Sequence, residues 1–276
     1  MAVFLALCSA AVVGSGDFFG GFASRHTTAV TAAMYSNGVG ALFFIIAAPI
    51  AGGSLINNDI WWSTAAGVAG ALGIVVLYRG IGAARVSIVS PSTGVGAATV
   101  PVIASTLTDD AISAVAGFGI GLGLIAIVLV SQGSSADSGS VRTSLLYGAG
   151  AGLGLGLMLT ALAQTSGDAG LWPLLPARLA GTATIIAIVL LLGQPRLLPR
   201  AAAPPAIGSG VLSAGGNAFF LAGTQVGSLA TVTVLTSMFP AVTVLWARVV
   251  FKERLRPLQF VGLAVALVSV GLIAGG

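Results

Sequence analysis

Ten apolar stretches, each long enough to cross a bilayer, follow one another through this chain with almost nothing between them. A helix needs about 20 mostly apolar residues to span the hydrocarbon core. The spans are predicted at Ala2–Phe22, Thr31–Ile50, Thr64–Ala84, Ser87–Thr108, Ala111–Val130, Ser144–Gln164, Leu174–Leu192, Ala206–Val226, Leu229–Phe251 and Leu258–Gly275. No Lys or Arg precedes the first run and a second span follows directly, so it reads as a span rather than a signal peptide. Mean hydropathy is +1.06 and 7% of residues are charged, whereas a soluble domain carries roughly 25%. The expected fold is all-α and integral to the membrane, multi-pass, in the plasma or inner membrane.

Charge placement adds a second pattern. Arg25, Arg79, Arg85, Arg142, Arg196, Arg200, Arg248, Lys252, Arg254 and Arg256 sit in or beside loops 1–2, 3–4, 5–6, 7–8 and 9–10. The other loops carry only acids, Asp59, Asp109, Asp110 and Asp168. Such one-sidedness supports an even number of spans. Because Lys and Arg are retained in the cytoplasm, it places the odd loops there and both termini outside. The basic residues are scattered, with no patch of interleaved aromatics, so nucleic acid is not an expected partner. Cys8 is the only cysteine, which rules out an internal disulfide and leaves the redox compartment open. One His and one Cys cannot supply the four ligands of a structural zinc site.

The most hydrophilic break is the Gly/Ser-rich run Ser131–Thr143, SQGSSADSGSVRT. It divides the chain into a five-span unit at 1–132, a linker at 133–143 and a second five-span unit at 144–276. At an offset of 143 residues the halves match without gaps. Gly67, Val68, Ala71, Gly73 and Gly80 fall on Gly210, Val211, Ala214, Gly216 and Gly223. Asp110 falls on Glu253, an acid on an acid. The first two helices of each half match near an offset of 141. An odd number of spans per repeat forces the second copy to enter the membrane from the opposite side. Two inverted five-helix repeats are therefore expected, the architecture of many secondary transporters, with the site at the repeat interface.

The second half reads GSLATVTVLTSMFPAVTVLWARVVFKERLRPLQFVGLAVALVSVGLI. A Gly-small-Leu opens a helix at Gly227–Leu229, Pro240 lies in its middle, Glu253–Arg254 make an acidic-basic turn and Gly262 lies in a Gly-rich last helix. This resembles the hallmark of EamA-type transporters of the drug/metabolite transporter superfamily. The first half keeps the pattern more loosely: Ala97 stands where Pro240 would, Pro91 and Pro101 flank it, and Ala111 replaces the basic partner after Asp110. The resemblance implies a permease for a small metabolite or drug-like solute, working as an exporter, with protons as a coupling ion. It also implies both termini in the cytoplasm, opposite to the charge reading.

Within the spans, ionisable groups are costly and usually face a cavity or a partner. Asp17 and Arg178 are the two that fall clearly inside, in spans one and seven. Asp17 reads either as a proton-accepting carboxylate or as half of a structural salt bridge with Arg178 or Arg25. Arg178, about one turn into LWPLLPARLAG, reads as a partner for an anionic solute group or as an interhelical tie. Asn37, Gln164 and Asn217 complete the candidate solute-binding set, and Tyr35 and Gln225 offer further hydrogen-bonding groups. Spans one, three, six and eight are expected to border the cavity. Pro91, Pro101 and Pro240 are candidate helix kinks, since each removes a backbone donor. Gly148, Gly152 and Gly156 in span six, with Gly119 and Gly123 in span five, recur at four-residue spacing and mark close helix packing. Trp61 and Trp62, beside Asn57, Asn58 and Asp59, read as an interfacial anchor.

No Gly-rich loop ends in Lys-Ser or Lys-Thr, so ATP is not the expected energy source. An enzyme needs clustered acids, bases or metal ligands, and His26 and Glu253 are the only residues of their types. No cofactor, metal or catalytic residue is assigned. The expected partners are membrane lipids, a small solute and protons, with a homodimer left open. A channel-like facilitator and a membrane-embedded enzyme remain the alternatives to a carrier.

Overall fold

A computed structural model describes residues 1–105, 113–131, 140–226, 232, 235–236, 238–252 and 257–275. These residues form ten α-helices and no strand. They are α1 (Ala2–Ala23), α2 (Ala29–Ala51), α3 (Asn57–Ala83), α4 (Val86–Ser105), α5 (Ala114–Ser131), α6 (Val141–Leu162), α7 (Leu174–Leu191), α8 (Ala203–Gln225), α9 (Phe239–Val250) and α10 (Pro257–Gly275). A 3₁₀ turn at Gly167–Ala169 joins α6 to α7. Five of them, α1, α2, α3, α6 and α7, are long and apolar enough over their described residues to cross a membrane. Their outer faces expose Leu7, Leu42, Ile46, Leu72, Leu157 and Leu190, the pattern a lipid solvent allows. This is a multi-pass membrane protein.

Several predicted boundaries move, most of all in α3 and α6. Helix α3 begins at Asn57 rather than Thr64, because Asp59 accepts a hydrogen bond from the Ile56 backbone N–H at 3.1 Å and caps the first turn. The added turns carry Trp61 outward, 76% exposed, where an interfacial anchor belongs. Helix α6 begins at Val141, inside the expected linker, and ends at Leu162, before Gln164. The Asp109–Asp110 junction, the Gly227–Leu229 opening, Glu253–Arg254, and linker residues 133–139 lie outside the described residues.

Directions follow from close approaches. Ser9 and Val13 of α1 meet Gly216 of α8, and Gly16 meets Ser213 and Ser209, so α1 and α8 are antiparallel. Gly70 meets Met158, Gly73 meets Leu155 and Gly80 meets Tyr147, so α3 and α6 are antiparallel. Gly20 and Gly21 meet Tyr78 and Ile81 in rising order, so α1 and α3 are parallel. Neither pair of antiparallel helices could approach so closely with larger residues at these points, and lipid supplies no hydrophobic drive to replace that packing.

The loops separate into two faces. At the basic face, the Arg25 guanidinium lies 3.3 Å from the Phe251 ring centroid. There too Arg79 donates to the Tyr147 hydroxyl at 3.1 Å, Ser144 accepts from the Arg85 backbone N–H, and Thr31 donates to the Pro195 carbonyl at 2.6 Å. The described residues of loops 1–2, 3–4 and 7–8, the start of α6 and the residue after α9 thus gather at one end. At the acidic face, Asp59 accepts from the Ser166 backbone N–H at 2.8 Å and from its hydroxyl at 2.7 Å. Beside this clasp Gly53 (φ +90°) lies so near the Ala169 carbonyl that a Cβ would come within 2.8 Å of it. Only glycine tolerates both the backbone angle and the contact. Asp59→Ala is expected to lower the melting temperature in detergent by a few degrees, because one carboxylate holds the 2–3 and 6–7 loops together. An unchanged melt would show the clasp to be incidental.

Candidate functional site

A small buried polar cluster lies where α1, α2, α3, α7 and α8 converge. Asp17 on α1 is 5% exposed, six residues before the end of its helix. It is there because Gly16 and Gly20 let α1 close on its neighbours: a Cβ on Gly16 would lie 2.7 Å from Ser213 Oγ, and one on Gly20 would fall against the ring of Tyr78. Among the described residues Asp17 accepts no hydrogen bond and forms no ion pair, yet it lies within electrostatic range of Arg178 and Tyr78. A salt bridge with Arg25 or Arg178 is therefore not what holds it.

Arg178 enters from the first turns of α7, after Pro173 and Pro176. Its Nη1 donates to Asn37 Oδ1 at 3.3 Å, and its guanidinium lies alongside Gly40, whose missing side chain leaves room for it. Asn37, 6% exposed, donates in turn from Nδ2 to the Ala33 carbonyl at 3.3 Å. The amide is thereby oriented with its oxygen toward the guanidinium.

Next to these groups, Tyr78 of α3, Ser36 of α2 and Ser209 of α8 bring three hydroxyls together. Tyr78 to Ser209 is 2.7 Å, and Ser36 is 3.1 Å from each of the other two. Tyr78 is 1% exposed. On the basic side, an aromatic layer fills the space between α1 and α9. Phe18 lies 6.0 Å from Trp246 and 5.0 Å from Phe251 between ring centroids, and Trp246 Nε1 donates to Ser15 Oγ at 2.8 Å.

Of the predicted binding residues, the fold brings Asp17, Asn37 and Arg178 together. Asn217 sits seven residues beyond Gly210, on the α8 face that packs on α2, but stays half-buried and makes no hydrogen bond among the described residues. It lies about two turns beyond Ser209 along α8, toward the acidic face. Gln164 does not join: it is exposed in the turn after α6, two residues past the helix end. Spans two and seven, not span six, supply the remaining groups. Tyr35 is taken up by the Arg196 carbonyl at 3.1 Å on the basic face. Pro91 and Pro101 lie inside α4. Pro240 occupies the first turn of α9 as described, where a missing N–H is tolerated, and packs on Gly94 of α4. Sequence reasoning missed Tyr78, Ser36 and Ser209, since lone hydroxyls are common in membrane helices. The signal was available in Gly20, which has no reason to be glycine except a bulky neighbour.

An apolar recess of about 390 Å³, lined by Phe43, Ile46, Ala47, Ile50, Ala51 and Leu171, lies further along α2. It holds no charged or hydrogen-bonding side chain and takes no part in the cluster. Among the described residues no group of three or more His, Cys, Asp or Glu could hold a metal.

A search of curated proteins returns no match to this sequence. The profile of the EamA-like transporter family matches it twice, at residues 1–132 and 142–275, and so covers nearly the whole length. With its bundle of apolar helices and a polar cluster buried inside, the chain belongs to the EamA-like transporter family.

Proposed function

We propose that the protein is a ten-span secondary permease of the plasma or inner membrane, built from two inverted five-helix repeats. It exports a small metabolite or drug-like solute through the cluster around Asp17, Asn37, Arg178 and Asn217, with Asp17 carrying a coupled proton. The export direction rests on the family resemblance.

One observation carries the reading. Close contacts occur in pairs that exchange when the halves are exchanged. Gly73 abuts Leu155 and Ala151, while Gly216 abuts Val13 and Ser9. Gly67 abuts Ala177, while Gly210 abuts Ser36. Corresponding members differ by 143, 142 or 141 positions, the offsets of the sequence repeat. The opposite directions of α1 and α6, which follow from the pairings described above, support inversion rather than simple duplication. Asn37 and Arg178 are themselves counterparts at the offset of 141, so their hydrogen bond lies where the halves meet. Inverted repeats place a solute site at that interface, near the membrane midplane. Two near-equivalent halves can exchange conformations, which turns opening toward one face into the mirror of opening toward the other.

The test has two steps. Untargeted metabolite profiling of cells overproducing or lacking the protein identifies solutes whose levels follow it. Flux of those solutes into proteoliposomes is then expected to saturate, to show counterflow, and to respond to an imposed pH gradient. Flux that rises linearly with concentration and ignores solute on the far side would identify a channel-like facilitator instead.

A further inference from the structure

The three clustered hydroxyls form a closed ring. A hydroxyl has one O–H to donate and can accept through its lone pairs. Three O–H groups serve three edges, at 2.7, 3.1 and 3.1 Å, so Tyr78, Ser36 and Ser209 satisfy one another completely. Neither Asp17 nor any solute is needed to complete the set. The ring ties α2 and α3 of the first half to α8 of the second. Tyr78 lies in the last turns of α3, and the Ser24 hydroxyl fixes its backbone by donating to its carbonyl at 2.8 Å. Its side chain rests on Gly20 in the last turn of α1. It therefore stands between the charged groups of the cluster and the basic face, whereas Asn217 is half-exposed on the acidic side.

We propose that Tyr78 is the residue that couples solute binding to opening of the basic face. Its ring closes the passage beneath the cluster, and a hydrogen-bonding group of the solute opens it by replacing Ser209 as the partner of the Tyr78 hydroxyl. A buried hydroxyl cannot leave its partners without replacement, since the lost bond is not returned by water. The latch thus stays shut when the site is empty and yields when a polar solute fills it. This inference rests on the permease reading, and it adds to it the residue on which alternation turns.

The test uses reporter cysteines in a Cys8→Ala background, Cys8 being the only cysteine. Ala206, fully buried and three residues before Ser209 on α8, lies on the basic side of the ring. Ala214, also buried, lies on the acidic side. Ala206→Cys and Ala214→Cys proteins in nanodiscs are labelled with a membrane-impermeant methanethiosulfonate. Tyr78→Phe keeps the ring and removes only the hydroxyl. It is expected to raise the rate at position 206 by roughly three- to tenfold, the range of one net hydrogen bond, and to leave the rate at 214 unchanged or lower. Ser209→Ala should do the same, and decides the matter if Tyr78→Phe does not fold. Unchanged labelling at 206 in a folded variant would overturn the proposal. Equal increases at both positions would also overturn it, since general loosening opens both sides. The reporter needs no solute. Flat labelling with intact solute flux therefore removes the latch alone, and altered labelling without any flux removes the permease reading alone.

Discussion

Asp17→Asn is expected to abolish gradient-driven transport while leaving the protein folded and able to exchange solute at equal pH. The asparagine keeps the shape of the side chain and can still hydrogen-bond, but it cannot take up and release a proton. A structural salt bridge would give the opposite result, because breaking a buried pair leaves an uncompensated charge at a cost of about 3–5 kcal/mol. Here no contact ion pair is broken, although Arg178 loses the field of a nearby carboxylate. Asp17 forms no ion pair among the described residues, and the Arg178 guanidinium is already engaged by the Asn37 amide oxygen. Removing a buried carboxylate that lacks a hydrogen-bond partner relieves a desolvation cost. That gain and the lost attraction to Arg178 oppose each other, so the melting temperature is expected to change little. Flux with and without a pH gradient, measured beside a melt on the same samples, separates the outcomes. Full gradient-driven transport in a stable variant would move the proton to another group. A large drop in melting temperature would return Asp17 to a structural role.

Most of the fold was legible because a membrane leaves a chain few choices. Length and apolarity alone located α1 and α2 within two residues at each end, and α7 within one. Where the reading erred, polar residues were the cause. Asn57 to Ser63 look like loop by composition, yet a local cap from Asp59 makes them helical. Gln164 looks like a polar group inside a span, yet α6 stops short of it and leaves it exposed in the following turn. The site was legible only in part, for a related reason. A charge within an apolar run announces itself, and Asp17 and Arg178 were found that way. Ser36, Tyr78 and Ser209 carry no such mark, being separated by 42 and 131 positions from one another and united only by packing. Asn37 gained its meaning from a partner 141 residues away. Pairing of this kind is a property of the folded interface, and only the repeat offset hinted at it.

Gly73→Val and Gly216→Val are expected to be strongly damaging, and to be damaging to a similar degree. A Cβ on Gly73 would stand 2.8 Å from the Leu155 backbone nitrogen and 3.0 Å from the Gly154 carbonyl carbon. On Gly216 it would stand 3.2 Å from the Val13 backbone nitrogen, and closer still to the Val13 side chain. At Gly73 the obstacle is backbone, which cannot turn aside, and at Gly216 it is the stiff β-branched side chain of Val13 with backbone just behind it, so each helix pair must give way. Overpacking of this kind costs about 1–3 kcal/mol even where a soluble core can shift. In lipid the separated helices recover nothing, because the apolar surface they uncover is as well solvated by acyl chains as by each other. Folded yield by size-exclusion chromatography should fall by most of its value for both valine variants, and alanine at either position should lower the melt by a smaller and again matched amount. Gly38→Ala and Gly121→Ala, where an added methyl meets nothing within 4 Å, are the controls and should behave as the parent. The matched pair tests more than packing. If α3 on α6 and α1 on α8 are the same contact seen from opposite sides of the membrane, their glycines must fail together. Collapse at Gly73 with tolerance at Gly216, or the reverse, would show that the two halves carry unequal loads. Exchange of their conformations could then not be the basis of transport.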